Sequence, residues 1–190
     1  MNHEHDTQTI NVGFWLYLMT DCLLFASLFA TYAVLHGGTN GGVGMSDIVN
    51  MPYVLIQTLL LLLSSLTSGG TYSLALSGQW HRAYVWLGAT AALGMGFLAM
   101  ELHEFMALIG DGHSWQSSAF LSSFFTLVGT HGIHIAVGLI WAFVIMWHMY
   151  RRASKQGLTR QLMIFTMFWH FLELIWICIF TFVYAIGGLL

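Results

Sequence analysis

Charge is what this sequence has least of. Asp, Glu, Lys and Arg make up only 7% of its residues, against about 25% in soluble domains. Five basic and eight acidic side chains cannot clothe the water-facing surface of a 190-residue fold, so a soluble globular domain is excluded. The same scarcity excludes nucleic acid as a partner, because the basic residues form no stripe that could engage phosphates. Cysteine is scarce too. Cys22 and Cys178 sit in separate apolar runs without Cys-x-x-Cys spacing and read as small buried hydrophobes, not as a disulfide or metal ligands. A cleavable secretory signal is also unsupported. Residues 1–11 carry Glu4 and Asp6 but no Lys or Arg, and the apolar run that follows exceeds the roughly 7–15 residues of a signal core.

What is present in abundance is apolar chain. Hydrophobic residues reach 57%, aromatics 15%, and the mean hydropathy is +0.74. Five long runs stand between short polar breaks, at about Val12–Leu35, Pro52–Ser77, Ala83–Ile109, Ala119–Tyr150 and Leu162–Gly188. Each exceeds the roughly 20 residues that span about 30 Å of hydrocarbon. Period-2 alternation is missing, which argues against a barrel. Pro52, the single proline, suits the first turn of a helix. The expected fold is all-α: residues 1–11 as a polar tail, then 12–190 as one polytopic bundle of five transmembrane helices.

Orientation follows from the few cations. Arg82 lies between the second and third runs, and Arg151, Arg152, Lys155 and Arg160 lie between the fourth and fifth. Five crossings put both breaks on the side of the N-terminus. The positive-inside rule then makes the N-terminus cytoplasmic and the C-terminus periplasmic. Small residues in the second run (Ser64, Ser65, Thr67, Ser68, Gly69, Gly70) and the third (Gly88, Gly94, Gly96) invite close helix approach. That serves packing within the bundle, with a dimer surface as the alternative.

Polar side chains inside the spans are few and costly, so each is a functional candidate. Asp21, Glu101, Glu104 and Glu173 are joined by His103, His131, His134 and His170. The pairs Glu101/Glu104, His131/His134 and His170/Glu173 are each three residues apart and share a helix face, which suggests a ring of polar groups facing one interior. Three readings compete. A metal or haem centre would use the His and Glu pairs, although four-helix di-iron sites require a Glu-x-x-His order that is not reproduced here. A proton or ion path would line a cavity with the same groups. A structural role would pair them across helices within a larger complex.

The same residues carry a family resemblance. Gly13-Phe14-Trp15-Leu16-Tyr17-Leu18-Met19-Thr20-Asp21-Cys22, continuing through Leu28-Phe29-Ala30-Thr31-Tyr32, resembles the first span of subunit III in haem–copper oxidases of the cytochrome bo-type ubiquinol branch. Ser122-Ser123-Phe124-Phe125 with Gly129-Thr130-His131-Gly132-Ile133-His134, and Trp169-His170-Phe171-Leu172-Glu173-Leu174-Ile175-Trp176, are similar to that family's His-Gly-x-His and Trp-His-Phe-x-Asp-x-x-Trp motifs. Glu101 and Glu104-Phe105 resemble its acidic stretch. Glu173 stands where aspartate is usual, and Thr20 where serine is common. Five spans and an Asp-Cys pair resemble the quinol branch, whose cytochrome c-oxidising relatives commonly have seven.

The resemblance implies an accessory role with no catalytic residue or metal in this chain. Haem and copper would belong to subunit I, with subunits I, II and IV and phospholipid as partners. Asp21, Glu101, Glu104, His131, His134, His170 and Glu173 would make interhelical bonds or meet lipid headgroups. Arg151 and Arg152 would meet phosphates on the cytoplasmic side. A small proton-coupled transporter, or the corresponding subunit of a cytochrome c oxidase, is the alternative.

Overall fold

A computed structural model describes residues 2–38, 50–112, 116, 118–151 and 155–187. Five helices follow in chain order: α1 Asn2–Leu35, α2 Met51–Leu76, α3 Trp80–Gly110, α4 Ala119–Tyr150 and α5 Lys155–Ile179. A π-helical turn, Phe180–Ile186, continues α5. There is no strand among the described residues. All five helices are long and apolar enough to cross a membrane, so the chain is a multi-pass membrane protein.

The helix ends refine the sequence boundaries. Backbone winding does not begin at Val12: α1 starts at Asn2, so the polar stretch and the first span share one helix. Pro52 does occupy the first turn of α2, where its missing N–H costs nothing. α2 ends at Leu76 with Ser77 as its cap, and Gly78 at φ 74° makes the tight turn into α3. α5 begins at Lys155 rather than Leu162, since the polar run up to Gln161 is also helical. Gly188 and residues 39–42 of the glycine-rich break lie outside the described residues.

Helices α2, α3, α4 and α5 close a four-membered ring in which each packs against the next and α5 returns to α2. α1 stands outside it, against α4 and more lightly against α5. Burial reports the same division. α4 buries thirteen residues, whereas the described part of α1 buries only Leu18, Asp21, Phe25 and Tyr32. Those four form one stripe at helical spacing.

Lipid tails are as apolar as leucine, so close packing and hydrogen bonds must hold such a bundle together. Trp169 is its keystone. The indole is fully buried between two glycines: a Cβ on Gly94 would lie 2.9 Å from its Cζ2, and one on Gly138 would lie 2.8 Å from its Cζ3. Its Nε1–H donates to Ser64 Oγ (3.0 Å), and Ser64 donates onward to the Thr90 carbonyl (3.0 Å). Thr67 and Thr90 hydroxyls pair at 2.8 Å. The small residues of α2 and α3 therefore serve packing within the bundle, although Gly88 faces open space.

The cysteine reading needs correction. Cys22 is exposed on α1 and Cys178 is half-buried. Cys22 follows Asp21, which points at α4, and the next position on a helix turns about 100° away.

Candidate functional site

The expected single ring of polar side chains is three separate arrangements plus an outlier. The first joins α1 to α4. Asp21 Oδ2 lies 3.7 Å from His134 Nε2, and His134 Nδ1 lies 2.7 Å from the Thr130 carbonyl. That carbonyl can only accept, so Nδ1 carries a hydrogen. A neutral imidazole would then turn a lone pair from Nε2 toward the carboxylate. At 3.7 Å the two groups are in polar contact but short of a hydrogen bond. Phe25 covers it, with its ring centre 5.2 Å from that of His134.

His131, one helical turn away, is fully buried in an aromatic box. Trp176 stacks on it at 5.3 Å, Phe97 meets it edge-on at 5.9 Å, and Phe25 closes a third side at 6.4 Å. Neither ring nitrogen has a hydrogen-bond partner among the described residues. Trp176 in turn donates from Nε1 to Thr58 Oγ1 (3.1 Å), which ties α5 to α2.

The second arrangement is built on α3. Glu104 receives Gln57 Nε2 of α2 at 3.4 Å and the Tyr184 hydroxyl of the π-helical turn at 3.5 Å. Glu101, one turn earlier, is buried against α4. A Cβ on Gly132 would lie 2.6 Å from its Oε1, so only glycine leaves room for this carboxyl. Its Oε2 has no hydrogen-bond partner among the described residues. The third arrangement joins α2 and α5, where Ser65 donates to Glu173 Oε2. The longer glutamate therefore still finds an interhelical partner where aspartate is usual in the resembled family.

His170 stays outside all three. It is exposed, its Nδ1 bonds the Thr166 carbonyl of its own helix (2.8 Å), and its ring overlies Gly69. The three-residue offset from Glu173 did not bring the two into one cluster. His103 is exposed beside Tyr53. Arg151 is exposed and lies over the Trp147 ring at 4.9 Å. Arg152 lies outside the described residues.

Gln57 and Tyr184 were missed in the sequence. Gln57 is fully buried, and a lone amide within a leucine-rich run was the signal available. Tyr184 resembled one more aromatic in an apolar stretch, and its role depends on the π-helical register. The two indole donors, Trp169 and Trp176, were legible only as motif letters.

These donors do not form the multi-ligand set that copper takes. Among the described residues no three His, Cys, Asp or Glu side chains converge, and the His131 ring is enclosed by Trp176, Phe97 and Phe25. What the geometry does define is a polytopic helix bundle whose buried polar groups mainly join helix to helix.

The chain belongs to the cytochrome c oxidase subunit III family, whose sequence profile matches residues 2–188. It is 50% identical to the cytochrome bo(3) ubiquinol oxidase subunit 3 of Pseudomonas aeruginosa, over 99% of this chain and 90% of that one. It is 42% identical to the cytochrome c oxidase subunit 3 of Bacillus sp. strain PS3, over 93% of this chain and 85% of that one. The quinol oxidase subunit 3 of Bacillus subtilis is 37% identical over 98% of this chain and 92% of its own length. The PS3 protein sharpens the sequence argument: a relative with a cytochrome c name is nearly covered by this short chain, so shortness alone does not separate the two branches.

Proposed function

We propose that this chain is subunit III of a cytochrome bo-type ubiquinol oxidase in a bacterial inner membrane. It acts as a non-redox accessory subunit that supports assembly, phospholipid binding and sustained proton-coupled oxygen reduction by subunit I. Subunits I, II and IV are its partners, and haem and copper reside in subunit I. The observation that carries this reading is the 50% identity to a ubiquinol oxidase subunit over 99% of the chain. The Asp-Cys pair at Asp21-Cys22 adds to it. The transporter alternative has no comparable support, because the carboxylates and histidines that would form its path are distributed over separate helix contacts.

In this reading the N-terminus is cytoplasmic and the C-terminus periplasmic. Supporting this, Arg82 falls in the first turn of α3 and Lys155 and Arg160 in the first turns of α5, which five antiparallel crossings bring to one side. Asp21, His131 and His134 hold α1 against the bundle. Glu173 and Glu104 tie α2 to α5 and to α3. Arg151 and Arg152 meet lipid phosphates at the cytoplasmic surface.

The test uses the purified complex with Asp21→Ala and His131→Ala. Less bound phospholipid and a shorter turnover lifetime, with the initial quinol oxidation rate kept, are expected. Unchanged lipid content and lifetime would contradict the proposed role.

A further inference from the structure

Several buried polar atoms are left without a hydrogen bond by these helix contacts, and one of them lies on Glu101 beside a cavity. Glu101 is 2% exposed, and its Oε2 has no partner although a bare polar oxygen is costly at membrane depth. Glu101 also forms part of the floor of an outward-opening groove between α3 and α4, with a volume of 480 Å³. Leu98, Leu102 and Ile133 line it, and Phe105 and Phe125, at 4.8 Å, form an aromatic wall. Such a cavity lies within the roughly 300–1,000 Å³ of small-molecule sites and has their pattern of apolar walls with few polar groups.

A second polar group stands on the α4 wall. The Thr126 hydroxyl lines the same groove and donates to the Ser122 carbonyl (2.7 Å), so its oxygen can still accept. Thr126 and Gly132, which abuts Glu101, are six residues apart on α4, or about 9 Å along the axis. One polar group on each wall, offset along the groove, suits a flat ring that carries an oxygen at each end. Depth narrows the choice further. Glu101 lies six residues from the middle of α3, about 9 Å from the midplane of a centred helix, inside a hydrocarbon half-thickness of about 15 Å. Phospholipid phosphates and amines lie beyond that layer, whereas a tailed quinol is dissolved within it.

We infer that the α3–α4 groove binds the headgroup of a tailed quinol, with Glu101 and Thr126 at the two ring oxygens and the tail running out into the bilayer. The inference rests on the quinol-oxidase reading above and adds a docking site in this chain. No electron moves here; the groove holds the donor near the complex. As a carboxylate Glu101 accepts from a quinol hydroxyl, and as a carboxylic acid it donates to a quinone carbonyl.

The test is photolabelling of the whole purified complex with an azido-ubiquinone, with haem content per complex as the check on assembly. Label is expected in Leu98–Phe105 or Phe125–Ala136. It should be displaced by excess ubiquinone but not by phospholipid, be reduced at least about fivefold by Glu101→Leu, and be largely retained in Glu101→Gln. Thr126→Val removes only a hydroxyl from an exposed wall and should reduce it about threefold. If the complex oxidises ubiquinol but no displaceable label reaches this groove, the docking site is wrong and the functional reading stands. Label displaced by phospholipid, or indifferent to all three substitutions, likewise overturns the site alone. A complex that cannot oxidise ubiquinol overturns both.

Discussion

Helix α1 and the ring α2–α5 are equally apolar to the eye, yet they are held by different means. The ring is packed around tryptophans with no Cβ in the way, and both buried indoles, with Ser64 and Ser65, bond across to a neighbouring helix. α1 touches the rest through one stripe, in which Asp21–His134 is the polar contact and Phe25 and Tyr32 supply most of the packing. Most of its large side chains face outward, among them Leu16, Met19, Leu23 and Val34. A ring built on steric fit should fail abruptly when that fit is lost. A helix docked by one stripe should loosen by degrees.

That contrast can be broken most severely at the keystone. Trp169→Ala should cost about 3–5 kcal/mol and strip the chain from its complex, measured as loss of the folded protein in a detergent denaturation series. A stability change under 1 kcal/mol would mean that the indole slot between Gly94 and Gly138 does not hold the ring. Gly132→Ala comes next, because its methyl must displace the Glu101 carboxyl. Overpacking of this kind costs about 1–3 kcal/mol, and Gly132→Ala combined with Glu101→Ala should recover part of it.

The α1 contact should respond more mildly. Asp21→Leu and His134→Leu, with the double variant, make a thermodynamic cycle whose coupling is expected at about 0.6–1.7 kcal/mol, the range for polar pairs between membrane helices. Zero coupling would reduce the 3.7 Å contact to mere proximity. Smallest of all should be Cys22→Ser. Its side chain faces away from the ring, so stability should stay within about 0.5 kcal/mol, and a thiol reagent should modify Cys22 in detergent without unfolding the chain. A large loss would show that α1 buries a second face.

The contrast also marks what could be read from the residues. The number of helices, the end of the first and both limits of the fourth were legible, because twenty or more apolar residues admit few other solutions in lipid. The start of α5 was not, since Lys155–Gln161 is polar yet helical. Asp21 and His131 are buried and His134 is half-buried, but spacing along a helix gives a shared face without giving its azimuth. Hence His170, three residues from Glu173 and on a motif of its own, points out of the bundle. The partners Gln57, Thr58 and Tyr184 were invisible because they are fixed by which helices become neighbours, and no single run carries that information. Family membership came through most clearly, since the motifs in α1, α4 and α5 occur in order and the match runs along nearly the whole chain.

One measurement bears most directly on the central claim. The chain is tagged, membranes are dissolved in mild detergent, and the eluate is assayed for haem and for oxygen uptake with ubiquinol and with reduced cytochrome c. Co-elution with a haem-bearing subunit that consumes oxygen on ubiquinol and not on cytochrome c is the expected result. Elution alone and stable without haem, or with a partner that takes electrons only from cytochrome c, would contradict it.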